Sequence, residues 1–392
     1  MIKVPGFLAS GVASGIKKNK KKDLALIYSE VTARAAGVFT KNIVKAPPVL
    51  IGMDRIKSGR CQAVLINSGI ANAFTGKEGL GDSLRITKYL SQALGIEENL
   101  VIPSSTGVIG GRLPVDKMKK ALPKLLKELR EDGLMDVADG IMTTDAFPKY
   151  ASAEVTIGRK KGTVCAIGKG AGMIAPDMAT MLCYILTDVN VSKRALSKAL
   201  RNSVNNSFNK IIVDGDTSTN DTVLLLSSGA LGNTAVKESG ADYKKFERAV
   251  TEAAAQVAEM IVQDGEGATK TVKIIVKGAR TEKDAQKIAR TLGTSALVKT
   301  AFFGEDPNWG RIVAAAGRAG VDFDPDKIDL YFGEHKILSN SKEVMDEKKA
   351  QKVLKNPKFD VILNIKSGKA SSFVIASDLT YEYIKINAHY RT

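Results

Sequence analysis

Two histidines, three cysteines and one tryptophan in 392 residues leave few of the usual chemical agents to choose from. His335 and His389 stand where a strand or turn is expected, with no Ser-His-Asp logic around them, so a histidine-based triad is a poor reading. The scarcity favours a nucleophile that brings its own base. Cys61, Cys165 and Cys183 show no metal-ligand spacing and leave an odd thiol, which fits a reducing cytoplasm and no disulfide framework. No run approaches the ~18–20 apolar residues a membrane helix requires. The segment before the Lys17–Lys22 cluster is short and broken by glycine, unlike the apolar core of a signal peptide. A cytoplasmic protein without a membrane partner is therefore expected.

What is present is a hydrophobic content of 44%, enough for substantial cores, in a chain long enough for two or three domains. The formal charge of +16 raises the question of nucleic acid. The lysines are scattered apart from one dense run, and no zinc-finger spacing or RNP-like aromatic motif accompanies them, so a solvated basic surface is the plainer reading and no nucleic-acid partner is expected. The same excess could draw carboxylate substrates toward a site.

Short strands alternate with helices. Ile86, Tyr89, Leu90, Ala93 and Leu94 share a helical face, and Gly95 follows as a C-cap. Met118 to Leu129 repeats the pattern, although Pro123 should kink or restart that helix. Ser192 caps a helix burying Leu196, Ala199, Leu200 and Val204. Phe246 to Ile261 gives the clearest apolar stripe, running into Asp264-Gly265-Glu266. Strands are expected over 61–66, 151–157, 181–186, 223–226, 272–276 and 359–365, and the stretch 371–390 reads as two more. The fold class is α/β with much β structure and no fixed-period repeat.

The run Lys169-Gly-Ala-Gly-Met-Ile-Ala-Pro-Asp-Met-Ala-Thr-Met-Leu182 is the most informative stretch. Taken alone it is a turn leading into a buried strand. It also suits a chain that cuts itself at Ala179–Thr180 and uses the new N-terminal Thr180. A threonine hydroxyl is weak at its free pKa, and an α-amine on the same residue, titrating near ~7.7–8.0, would serve as its base. Pro103-Ser-Ser-Thr-Gly-Val-Ile-Gly-Gly111 is either a simple turn or a source of oxyanion donors, because glycine lets a backbone N–H approach a ligand. Asp214-Gly-Asp-Thr-Ser-Thr-Asn-Asp221 starts like a calcium loop, but Thr219 and Leu225 stand where an EF-hand needs Gly and Glu, so it reads as a structural turn and no metal is expected. Asp306-Pro-Asn-Trp-Gly-Arg311 either meets a substrate or holds a buried Trp and a structural Arg.

Together with Gly37–Asn42, Asn67–Gly69, Ala71–Ala73, Met142–Asp145, Val213–Thr222, Gly265–Lys270 and Ile386–Thr392, these motifs resemble, over nearly the whole length, the glutamate N-acetyltransferase (ornithine acetyltransferase) family of arginine biosynthesis. The resemblance implies layered α/β sandwiches, loosely similar to N-terminal-nucleophile hydrolases. It implies self-cleavage into a 1–179 alpha chain and a 180–392 beta chain, two copies of each assembling. It implies transfer of acetyl from N²-acetyl-L-ornithine to L-glutamate through acetyl-Thr180, with Thr106 and Gly107 as the oxyanion hole and Thr143, Lys169, Thr180, Glu266, Asn387 and Thr392 as substrate contacts. No cofactor is implied, and acetyl-CoA as a second acetyl donor stays open. An aminopeptidase-like hydrolase with the same nucleophile is the alternative. Two departures stand out: Ala146 closes a motif that is Thr-Thr-Asp-Thr in the family, which leaves Thr144 as the fallback for Thr143, and Asp177 replaces the usual Asn beside the cleavage site.

Overall fold

The structure, a computed structural model, describes residues 3–175 and 181–389. Among these, the strands are β1 (Phe7–Val12), β2 (Leu24–Phe39), β3 (Arg60–Ile70), β4 (Val101–Val108), β5 (Lys149–Ile157), β6 (Lys160–Lys169), β7 (Leu182–Thr187), β8 (Ile211–Ile212), β9 (Thr222–Ser227), β10 (Thr271–Ala279), β11 (Asp329–Phe332), β12 (His335–Ser339), β13 (Lys342–Glu343), β14 (Lys358–Asn364) and β15 (Ala370–Ser377). The helices are α1 (Pro47–Arg55), α2 (Gly76–Leu94), α3 (Val115–Lys127), α4 (Leu134–Ile141), α5 (Lys193–Asn205), α6 (Ala241–Gln263), α7 (Glu282–Gly293), α8 (Ala296–Phe303), α9 (Trp309–Gly317), α10 (Glu347–Leu354) and α11 (Tyr381–His389).

Two sheets organise them. The first runs β4-β3-β2-β9-β7-β6-β5, and the long β2 also carries β1 along its first half. Every residue of β7 and β9 is buried, which is why both read as continuous apolar runs rather than as alternating strands. Cys183 and Ile185 face a core shared with α5 and α6, whereas Leu182, Tyr184 and Leu186 face a second core shared with α4. Helices thus cover both faces, giving the layered α/β sandwich expected. The second sheet runs β13-β12-β11-β14-β10-β15-β8, its core filled from α7, α9 and α10. β8 joins the sheets in sequence, lying at the edge of the second just before the loop that leads into β9.

Sequence and structure agree on most elements. Gly95 caps α2 at φ 68°, and the Ser192 hydroxyl accepts from Ala195 N–H at the start of α5. Two expectations fail. The restart expected at Pro123 does not occur, and α3 continues through it as one element; the carbonyl that loses its partner belongs to exposed Lys119, so water can satisfy it. The C-terminal stretch is one strand and one helix, not two strands. Beside β10, β15 pairs with β8 at Ile375 and Ala376, the positions that a hairpin return of Tyr381-Glu-Tyr-Ile-Lys-Ile would reach first. The Thr380 hydroxyl instead accepts from Tyr383 N–H at 3.2 Å and starts α11.

Candidate active site

Parallel strands β3 and β4 end side by side, with Gly69 opposite Gly107. Gly107 sits at φ +128°, and a Cβ there would lie 2.2 Å from the Gly69 carbonyl carbon, so only glycine closes this pair. Asn220 ties the strand ends together, its Nδ2 donating to Ala71 O at 2.7 Å and to Ser105 O at 2.8 Å. Across the sheet β6 ends at Lys169, paired with Leu182 at the start of β7. These strand ends leave a cavity of about 190 Å³.

Thr106, Gly107, Thr143, Lys169, Glu266 and Asn387 all line it. Lys169 Nζ donates to Thr143 Oγ1 at 2.8 Å and to Thr106 Oγ1 at 3.3 Å, which joins three of the sequence-derived residues in one chain of contacts. Burial pushes the Lys169 ammonium below its ordinary value, and the Asp145, Glu266 and Asp221 carboxylates work against that. The opposite wall carries Glu266, whose Oε2 accepts from Asn387 Nδ2 at 2.9 Å. Glu266 N–H donates to Ala171 O at 2.9 Å, and a Cβ on Gly172 would lie 2.4 Å from Glu266 Oε2. The glycines after Lys169 therefore let this segment run directly beneath the Glu266 carboxylate. Gly267, at φ +68°, does the same for α11: a Cβ there would meet Tyr383 N at 2.5 Å.

Ala179, Thr180 and Thr392 lie outside the described residues, as does Asp177. Next to Thr180 in the chain, Met181 N–H donates to Asp221 Oδ1 at 2.9 Å. Asp221 is buried, its Oδ2 has no partner among the described residues, and burial pushes its carboxyl well above the usual range. The Ala146 departure leaves the motif's geometry usable, because that residue contributes its backbone N–H, donated to Asp264 at 3.0 Å. Thr144 lines the cavity too, but it is Thr143 that bonds Lys169.

The sequence reading missed one wall. The loop taken as a purely structural turn supplies Asp214, Asp216, Ser218, Thr219 and Asn220 to the lining. Its turn character is real: Asp214 accepts from Met173 N–H at 2.6 Å and Ile174 N–H at 2.8 Å, which ties the loop to the segment after Lys169. Tyr383, also missed, lies among Asp214, Glu266 and Asp216, which with burial raise its phenol. A buried Asp145–Lys149–Asp264 chain behind Thr143 had no sequence signal beyond the Met142–Asp145 motif. The Asp306–Arg311 motif is structural: Asn308 caps α9 and Arg311 Nη1 donates to Leu297 O, with Trp309 packed on the core of the second sheet. The two histidines sit on β12 and α11, outside the cavity lining.

The model of the ArgJ family matches residues 8–392. The chain is 46% identical over 392 residues to the arginine biosynthesis bifunctional protein ArgJ of Caldanaerobacter subterraneus subsp. tengcongensis, covering 99% of this chain and 97% of that protein. It is 46% identical over 394 residues to the protein of the same description from Thermotoga neapolitana, covering 99% of each. Among solved structures, the arginine biosynthesis bifunctional protein ArgJ of Bacillus halodurans superposes with a TM-score of 0.51 at 36% identity, covering 53% of this chain and 98% of that chain. No helix among the described residues is long and apolar enough to cross a membrane.

Proposed function

The chain belongs to the ArgJ family, and from that premise we propose that it moves an acetyl group from N²-acetyl-L-ornithine to L-glutamate in arginine biosynthesis, through an acetyl ester on Thr180. The chain cuts itself at Ala179–Thr180. The freed α-amine then takes the proton of the Thr180 hydroxyl as the oxygen attacks the acetyl carbonyl carbon. The tetrahedral oxyanion is held by the Gly107 backbone N–H and the Thr106 hydroxyl, donors of a kind worth roughly 3–4 kcal/mol each. The amide C–N bond breaks, the proton passes to the departing α-nitrogen, and L-ornithine leaves. The α-amine of L-glutamate attacks the acetyl ester in turn, giving N-acetyl-L-glutamate and restoring Thr180.

The observation that carries this reading is the single cavity at the start of β7, where Lys169 bonds Thr106 and Thr143 while the Glu266–Asn387 pair faces them. Lys169 and Thr143 hold the substrate carboxylate, a charge-assisted contact in a desolvated wall. Glu266, with Asn387 and Thr392, takes the cationic end of ornithine. The shared first sheet supports division into 1–179 and 180–392, since β7 and β9 of the second piece insert between β6 and β2 of the first. That 98% of the Bacillus halodurans chain is matched by only 53% of this one supports it as well. Two alpha and two beta pieces form the assembly, with no metal or organic cofactor taking part.

Initial rates with both substrates varied should give the parallel lines of a ping-pong scheme, and intersecting lines would sink it. Incubation with acetylornithine alone separates transferase from hydrolase: sustained acetate release would favour an aminopeptidase-like enzyme. Thiol release from acetyl-CoA in the presence of glutamate reads the second donor directly.

A further inference from the structure

Behind the cavity's buried wall runs an ion-pair relay that the acetyl-transfer scheme does not use. Asp145 is buried, and its Oδ1 accepts from Lys149 Nζ at 2.7 Å and from Gly170 N–H at 2.8 Å. Its Oδ2 accepts from Thr143 N–H at 2.8 Å and lies 3.8 Å from Lys169 Nζ. Lys149, wholly buried, reaches on to Asp264 Oδ2 at 2.5 Å. Asp264 ends α6 and stands two residues before Glu266. The relay thus begins beside one substrate-facing charge and ends beside the other.

We propose that Asp145 is a positioning residue for acetyl transfer, keeping Lys169 charged and aimed at the carboxylate of an α-amino-acid substrate and, through Lys149 and Asp264, fixing its separation from Glu266. This rests on the reading above, in which Lys169 takes the substrate carboxylate. A buried ammonium is costly unless an opposite charge stands near it. The groups facing Lys169 are Asp145, Glu266 and Asp221, which favour its proton, and Lys149, which opposes it; Lys17, whose Nζ donates to Met142 O, also opposes it. Of the three carboxylates, Asp145 has the strongest hold. Thr143 and Gly170 are bonded to the same carboxylate through their backbone N–H groups, so the partner of Lys169 and the glycine that follows it are set by one anchor. Lys149 and Asp264 lie on opposite sides of the proposed cleavage site, which makes their contact a non-covalent strap between the two pieces.

The test is the pH dependence of KM in Asp145→Asn, a change that keeps the side chain's shape and one of its two acceptor oxygens, so that one of the Thr143 and Gly170 N–H bonds is retained while the charge is removed. Loss of the charge lets Lys169 lose its proton earlier, so KM for acetylornithine and glutamate should begin its alkaline rise about two pH units lower than in the wild type. Saturating kcat near neutral pH should change far less. Transfer from N-acetylputrescine, which lacks the carboxylate, should be the same in variant and wild type. An unmoved KM profile, or an equal loss with acetylputrescine at every pH, would overturn the proposal in favour of a merely structural anchor. Lys149→Met gives an independent check should the first variant fold poorly: removing a like charge should move the alkaline rise to higher pH, and no shift or a downward one would overturn it. Absence of acetyl transfer by the wild type defeats the functional reading and this inference with it, whereas transfer with an unmoved profile defeats the inference alone.

Discussion

The two walls of the cavity are built on opposite plans. The wall carrying Thr106 and Lys169, with Asp145 behind it, is made of strand ends and their immediate continuations, and these three side chains are buried. The facing wall, with Glu266, Asp216, Tyr383 and Asn387, is made of turns and the last helix, and none of its four groups is fully buried. A charge in the first wall acts in a low dielectric, where each unit of position and protonation matters. A charge in the second competes with water and contributes mainly by reach and shape. In the proposed function this difference divides the site's labour: the desolvated wall would set affinity for the carboxylate common to the substrates, and the wetter wall would tolerate tails of different chemistry.

The sharpest break would come at the residue both walls serve. Thr180→Ala should leave one whole chain where the wild type gives two fragments meeting at Ala179–Thr180, and acetyl transfer should fall by about 10³-fold or more, read by denatured intact mass and by rate. An active enzyme with an uncleaved chain would remove the nucleophile from either wall's purpose. Next, Lys169→Met in the buried wall should raise KM for both substrates by about 10- to 100-fold, the range expected for a lost charge-assisted hydrogen bond. Asn387→Ala in the wetter wall should raise KM only about two- to tenfold, as for a neutral contact shared with solvent. Equal losses from these two substitutions would erase the distinction between the walls.

The smallest effect on activity should come from a buried lysine outside the cavity. Lys299 of α8 donates to Ser377 O and, at 3.1 Å, to Ser377 Oγ, with no carboxylate in hydrogen-bond contact among the described residues. Burial lowers its ammonium to about 8 from an ordinary 10.5, with Asp378 and Asp214 opposing that. Between those values the unfolded chain binds more protons than the folded one, so this group's contribution to stability rises with pH from about 8 to 10.5. Melting curves should show the wild type gaining a few degrees on Lys299→Met across that interval, with KM unchanged near neutral pH. A KM change in that variant would mean that burial of a lysine alone, irrespective of the wall, moves the site.

Much of this was legible beforehand, and the misses have a common form. Amphipathic helices and buried strands announced themselves because periodicity is local: α6 and β7 are written in consecutive residues. The tail Tyr381–His389 reads as a strand because its aromatic and β-branched residues suit one, yet β8, from a distant part of the chain, holds β15 at Ile375 and Ala376, where a returning tail would pair first. Thr106, Thr143, Lys169, Glu266 and Asn387 could be named from motifs, but Asp216, Tyr383 and the Lys149–Asp264 pair could not, since nothing in the chain states which side chains will face one another across 115 residues.

By itself the sequence determined the α/β class, most elements and the family. Only tertiary structure decided which charges would be desolvated together. Lys149 and Lys161 are the same residue type on neighbouring strands, one wholly buried between two carboxylates and the other exposed. That difference arises from packing between distant segments, because the cost of removing a charge from water depends on what else has been brought into the same dry volume.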